Sequence, residues 1–156
     1  MAFGKYKGEH LGETLEAPVD LVAWIILSNP LRKHAKETFA YFKQQGVTIK
    51  VISGDNPATV SAIAQKAGIE GAEDLIDART LLTEEDLHQA ASQYTVFGRV
   101  TPEQKKSLVE GLQAKGHKVA MTGDGVNDIL ALKTADCSIA MESGNDATKR
   151  WRKWSC

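Results

Sequence analysis

Asp124, Asn127 and Asp128 crowd into one short loop, Met121-Thr-Gly-Asp-Gly-Val-Asn-Asp128. The apolar run Val119-Ala-Met precedes it, and Ile129, Leu130 and Leu132 follow at helical spacing. The pattern predicts a buried strand, a tight polar loop and a helix. Gly123 and Gly125 let backbone approach a ligand closely, and the N–H groups opening a helix favour an anion. Carboxylates at that place would repel a bare phosphate. They fit a hard divalent cation such as Mg2+ lying between them and phosphate oxygens. A solvated acidic turn capping a helix would explain one Asp and one Gly, but less readily the whole cluster.

Two further stretches offer chemistry of the same kind. Ser53-Gly54-Asp55 follows an apolar run and presents a hydroxyl and a backbone amide to a phosphate oxygen. Taken alone it is also an ordinary strand-to-helix turn. Lys105 lies in the first helical turns after Arg99-Val-Thr-Pro, where an ammonium aimed at the sheet edge would neutralise a phosphate. Without its context, Lys105 reads as a solvated surface residue, as its neighbour Lys106 does.

The elements that must position these loops alternate. Apolar stretches at Val19–Leu27, Val47–Ile52, Leu75-Ile76, Tyr94–Phe97, Val119–Met121 and Cys137–Met141 read as strands. Helices are expected from Leu31 to Gln45, from Pro57 behind an Asn56 cap, and after Thr83 and Thr101. Strand and helix in turn imply an α/β fold, a parallel sheet with helices on both faces. Ligands bind at the carboxyl ends of such strands, where Ser53–Asn56, Arg99–Thr101 and Thr122–Asp128 converge.

Composition excludes several other classes. A formal net charge of -1 with both signs intermingled gives no electrostatic footprint for nucleic acid. The longest apolar run, Leu21–Leu27, is too short to cross a bilayer, and the start of the chain does not read as a secretory leader. Cys137 and Cys156 have no paired spacing, which excludes a disulfide scaffold and a cysteine zinc site. Cys137 is expected to be a small buried strand residue. The tail Thr148–Cys156 is basic and rich in tryptophan, an interaction segment or a non-native boundary.

In order, Ile52-Ser-Gly-Asp-Asn56, Gly98-Arg-Val-Thr-Pro-Glu-Gln-Lys105 and Met121-Thr-Gly-Asp-Gly-Val-Asn-Asp128 resemble the phosphorylation domain of P-type ATPases. These pumps are members of the haloacid dehalogenase superfamily. Ala131–Asp136 and Ser138–Gly144 continue the match, which covers about residues 20–147.

The resemblance implies an ATP-driven, cation-transporting parent in the plasma membrane, with this domain facing the cytoplasm and Mg2+ and ATP as cofactors. It makes Lys105, Asp124 and Asp128 catalytic, with Asp124 the metal ligand. Ser53, Gly54, Asp55, Arg99, Thr122, Gly123 and Asn127 would bind phosphate and nucleotide, Arg99 at the ribose. Arg32, in Asn29-Pro-Leu-Arg, matches a hinge motif that more often begins with Asp.

The implied organisation is a nucleotide-domain remnant and linker at 1–18, a partial phosphorylation domain at 19–147 and a basic tail at 148–156. The family's nucleophile lies in D-K-T-G-T, which does not occur in these 156 residues. The expectation is therefore a Rossmann-like sheet of the haloacid dehalogenase type without its central nucleophile strand. Such a fragment is expected to be soluble and inactive alone, with the rest of the pump as its partner. Its bare sheet edges invite self-association, and the transported cation would be met only through a membrane domain. A soluble phosphatase of the same superfamily would need a nucleophile such as Asp20, which the sequence places at the start of a strand. A non-catalytic nucleotide- or metal-binding module is the third reading.

Overall fold

A computed structural model describes residues 2–8, 18–25, 30–123 and 126–140. Contacts divide the chain into two compact units, Met1–Arg32 and Lys33–Cys156.

In the first unit β1 (Ala2–Tyr6) pairs antiparallel with β2 (Val19–Trp24). β2 was expected among the parallel strands. It instead has β1 as its sheet partner, and Phe3, Leu21, Val22 and Trp24 are exposed. Lys7 and Asp20 form an ion pair across the hairpin.

The second unit alternates strand and helix. After α1 (Ala35–Gln44) come β3 (Val51–Ile52), α2 (Pro57–Ala67), β4 (Leu75–Asp77) and α3 (Glu84–Gln93). β5 (Val96–Gly98), α4 (Pro102–Ala114), β6 (Ala120–Gly123), α5 (Ile129–Thr134) and β7 (Cys137–Ala140) follow. Helix starts were the most legible features. The Asn56 side chain accepts the Ala58 N–H at 3.0 Å with Pro57 at the first position, and Gly68 closes α2 at φ 80°. Thr83 with Asp86 and Thr101 with Gln104 form reciprocal capping boxes.

The parallel sheet comes in two pieces, ordered β3-β5-β4 and β6-β7. Among the described residues, no strand lies along the outer edge of β3 or the corresponding edge of β6. β3 is also shorter than the run Val47–Ile52 predicts. The Val47 N–H turns back to the Phe42 carbonyl at 3.0 Å, closing α1. Lys50 sends its ammonium to the Tyr94 carbonyl at 2.6 Å, and ladder pairing begins only where the Val51 N–H meets the Thr95 carbonyl. Its partner β5 is also short, three residues.

Phe97, Leu108, Val100, Leu87 and Ala90 form one core where α3 and α4 cover β5. Val109, Met121, Ala131 and Leu132 form another between α4, α5 and β6. Cys137 is half-buried rather than buried.

Asp77 and Asp136 make the fold sensitive to acid. Asp136 accepts hydrogen bonds from the Gln113 amide, the Lys118 ammonium and the Val119 N–H, all near 3.0 Å. These contacts hold its carboxyl well below the usual carboxylate range. Asp77 is lowered by Arg79 first and then by Arg99. A depressed folded pKa contributes stability that is present above the unfolded value, about 3.9, and is lost as pH falls toward the folded one. Melting temperature should therefore fall below about pH 4. The doubly substituted Asp77→Asn/Asp136→Asn chain should show a shallower acid limb. An identical limb would contradict this assignment.

Candidate functional site

The sequence dictates where Lys105 sits. Thr101-Pro-Glu-Gln104 fixes the start of α4, so Lys105 falls one turn in, on the stripe it shares with Leu108, Val109 and Leu112. Asp128 stands likewise ahead of Ala131 and Leu132 on α5 and of Ala135 just past its end. The two helices pack through those stripes, which brings the Lys105 ammonium to 2.7 Å from the Asp128 carboxylate. Side-chain exposure is only 10% and 12%, so the pair is largely desolvated.

This pair borders a cavity of about 330 Å³. The exit of β3 (Ile52, Ser53, Gly54) and the exit of β6 (Met121, Thr122, Gly123) supply its other walls. The Ser53 N–H is held by the Phe97 carbonyl at 2.9 Å. The Ser53 hydroxyl accepts the Asp55 N–H at 3.1 Å and so keeps its own proton to donate. Gly123 is demanded by packing: a Cβ there would lie 2.7 Å from the Asp128 Cβ. Gly123→Ala should push Asp128 off Lys105 and lower stability by about 1–3 kcal/mol. A urea midpoint within error of the parent would contradict that.

Of the residues singled out from sequence, Ser53, Gly54, Thr122, Gly123, Lys105 and Asp128 are brought together around this cavity. Asp55 and Asn127 are exposed and do not line it. Asp124 lies outside the described residues, as do the tail and Asn29, the first residue of the hinge motif. Arg99 also stays off the cavity wall. It adopts φ 54°, the left-handed region that costs a side chain about 1–2 kcal/mol, and is the one non-glycine to do so among the described residues. Its N–H bonds the Asp55 carbonyl at 2.8 Å, and its guanidinium reaches Asp77 at 2.7 Å. Sequence reading missed Asp77. An acid at the end of a three-residue strand carries no local signal, and only the register of β4 against β5 sets it beside Gly98.

A cavity walled by a hydroxyl, amides, an ammonium and a carboxylate suits phosphate oxygens with a hard cation. The oxygen donors fit magnesium rather than a soft metal. Among the described residues, no group of three or more His, Cys, Asp or Glu is placed to hold a metal by itself.

The model for haloacid dehalogenase-like hydrolases matches residues 3–136. The chain is 44% identical over 150 residues to a probable cation-transporting ATPase, exp7, of Streptococcus pneumoniae, covering 96% of this chain and 19% of that protein. It is 50% identical over 129 residues to the calcium-transporting ATPase CtpE of Mycobacterium tuberculosis, covering 82% of this chain and 16% of that protein. Among solved structures it is similar to the catalytic domain of the CPx-ATPase CopB-B, studied for conformational changes upon nucleotide binding. The TM-score there is 0.60 at 27% identity, over 88% of this chain and 44% of that one. The chain thus spans less than a fifth of the curated relatives it matches. It belongs to the haloacid dehalogenase-like hydrolases, as a piece similar to the catalytic domain of cation-transporting P-type ATPases.

Proposed function

We propose that these residues supply the phosphate- and magnesium-binding loops of an ATP-driven cation pump, and that the aspartate to be phosphorylated comes from elsewhere in that pump. The observation that carries this reading is the buried Lys105–Asp128 pair on the cavity between the exits of β3 and β6. Ser53 and the Gly54 N–H hold a phosphoryl oxygen. Lys105 offsets the charge gathered around the transferred group, and Asp128 keeps that ammonium in place while helping, with Asn127, to order the metal. Asp124 is the direct metal ligand. Bound Mg2+ supplies charge neutralisation and orientation of the phosphate oxygens. Arg99 binds the nucleotide at the ribose, with Asp55 close by.

The two-piece sheet supports the absence of a nucleophile strand. Among the described residues the outer edges of β3 and β6 are unpaired and their ends line the cavity, where a further parallel strand ending in D-K-T-G-T would carry its aspartate to Lys105. Without that strand the chain has no phosphoryl acceptor and does not turn over ATP. The division at Arg32 supports reading residues 1–32 as the close of a separate nucleotide-binding domain, which moves the boundary from Pro18. The parent lies in the plasma membrane with this domain in the cytoplasm, and meets its cation in membrane helices. Among the described residues, no helix is long and apolar enough to cross a membrane.

A soluble phosphatase is disfavoured because Asp20 lies within β2 and is paired with Lys7. Complementation tests the pump reading. This chain, mixed with a polypeptide that carries the D-K-T-G-T segment of a relative, should gain Mg2+-dependent labelling of that aspartate from labelled ATP. A stable complex of the two that takes no label would sink it.

A further inference from the structure

We propose that Asp77 is a positioning residue of the nucleotide site, holding the Arg99 guanidinium ready for a bound nucleotide. This rests on the reading of Arg99 given above, and goes beyond it by naming what sets that arginine.

Arg99 is fixed at both ends. Its N–H is tied to the Asp55 carbonyl, and the next amide, of Val100, to the Ser53 carbonyl at 3.0 Å. A left-handed backbone at a residue with a side chain persists only where its surroundings enforce it, and such strain gathers at functional positions. At the far end the guanidinium meets one oxygen of Asp77 at 2.7 Å. Arginine has five N–H donors, so most of this fork remains available, on a side chain that is 36% exposed. A merely structural arginine would be expected to spend more of its donors on the protein.

Asp77 is itself braced. It ends β4 in register with Gly98, the residue before Arg99. Its other oxygen accepts both the Arg79 N–H and the Arg79 Nε at 3.1 Å, and the oxygen that meets Arg99 also accepts from the Arg79 Nη2 at 2.9 Å. The turn after it is pinned to the start of α4, where the Gln104 amide donates to the Ala78 carbonyl at 2.9 Å. Gln104 precedes Lys105, so one helical turn anchors both the phosphate-neutralising ammonium and the Asp77 turn. An arginine held in advance loses little freedom when a ligand arrives, which is how preorganisation raises affinity.

Isothermal titration of the chain with ATP tests this, alongside amide NMR spectra. Asp77→Asn should weaken ATP binding about 10-fold, the effect of loosening one charge-assisted contact. Asp77→Glu should fall between, and Arg79→Gln should stay within about 2-fold because Asp77 keeps Arg99. The amide signals of Ser53, Gly54 and Met121 should not move in Asp77→Asn. Undiminished affinity in Asp77→Asn overturns the inference and leaves the nucleotide site standing. Lost affinity with those amides also displaced makes Asp77 structural, and overturns it too. A parent chain that does not bind ATP overturns the nucleotide reading, and the inference with it.

Discussion

Lys105→Met should lower the unfolding free energy of the chain by about 3–5 kcal/mol, the usual result of removing one partner of a buried ion pair. The methionine matches the lysine stem and leaves the α4 stripe filled, so packing loss is a minor part. What remains is the Asp128 carboxylate, with only 12% of its side chain exposed and its ammonium gone. Adding Asp128→Leu should recover most of the loss, because two apolar groups of similar shape have no charge to desolvate. Urea denaturation of the parent, both single variants and the double variant closes the cycle. Strict additivity, or a Lys105→Met loss below about 1 kcal/mol, would show that the pair is not coupled as described.

Phe97→Ala should have an effect of similar size, about 3–5 kcal/mol, by another route. Phe97 is 1% exposed and lies on the middle strand of the three-stranded sheet, among Leu87, Ala90, Val100 and Leu108. Truncation leaves a cavity that rigid strand neighbours cannot fill. Its own carbonyl receives the Ser53 N–H, so loosening β5 also frees the loop proposed to hold phosphate. Leu82→Ala is the control: that side chain is 85% exposed, and its loss should change stability by no more than about 0.5 kcal/mol. Equal effects of the two substitutions would mean that β5 does not carry the core.

Those two residues show why some of the molecule could be read from its sequence and some could not. Caps are local, so Asn56, Thr83 and Thr101 announced their helices, and Phe97 fell in a recognisable apolar run. Lys105 looked solvated on its own, yet its spacing from Leu108, Val109 and Leu112 places it on the apolar face of α4. That stripe was legible, and so was the matching one behind Asp128. What no local pattern holds is pairing between distant strands. β2 carries the apolar run of a buried strand but joins a hairpin. β3 pairs over two residues only, against a β5 that is itself three residues long. Asp77 reaches Arg99 only through the register of β4 on β5.

The most direct measurement is incubation of the folded chain alone with Mg2+ and labelled ATP or acetyl phosphate, followed by acid precipitation and hydroxylamine treatment. No acid-stable, hydroxylamine-sensitive label is expected, because D-K-T-G-T, the proposed site of phosphorylation, does not occur in these 156 residues. Stoichiometric label on an aspartate of this chain would contradict it and make the chain a phosphoryl acceptor in its own right.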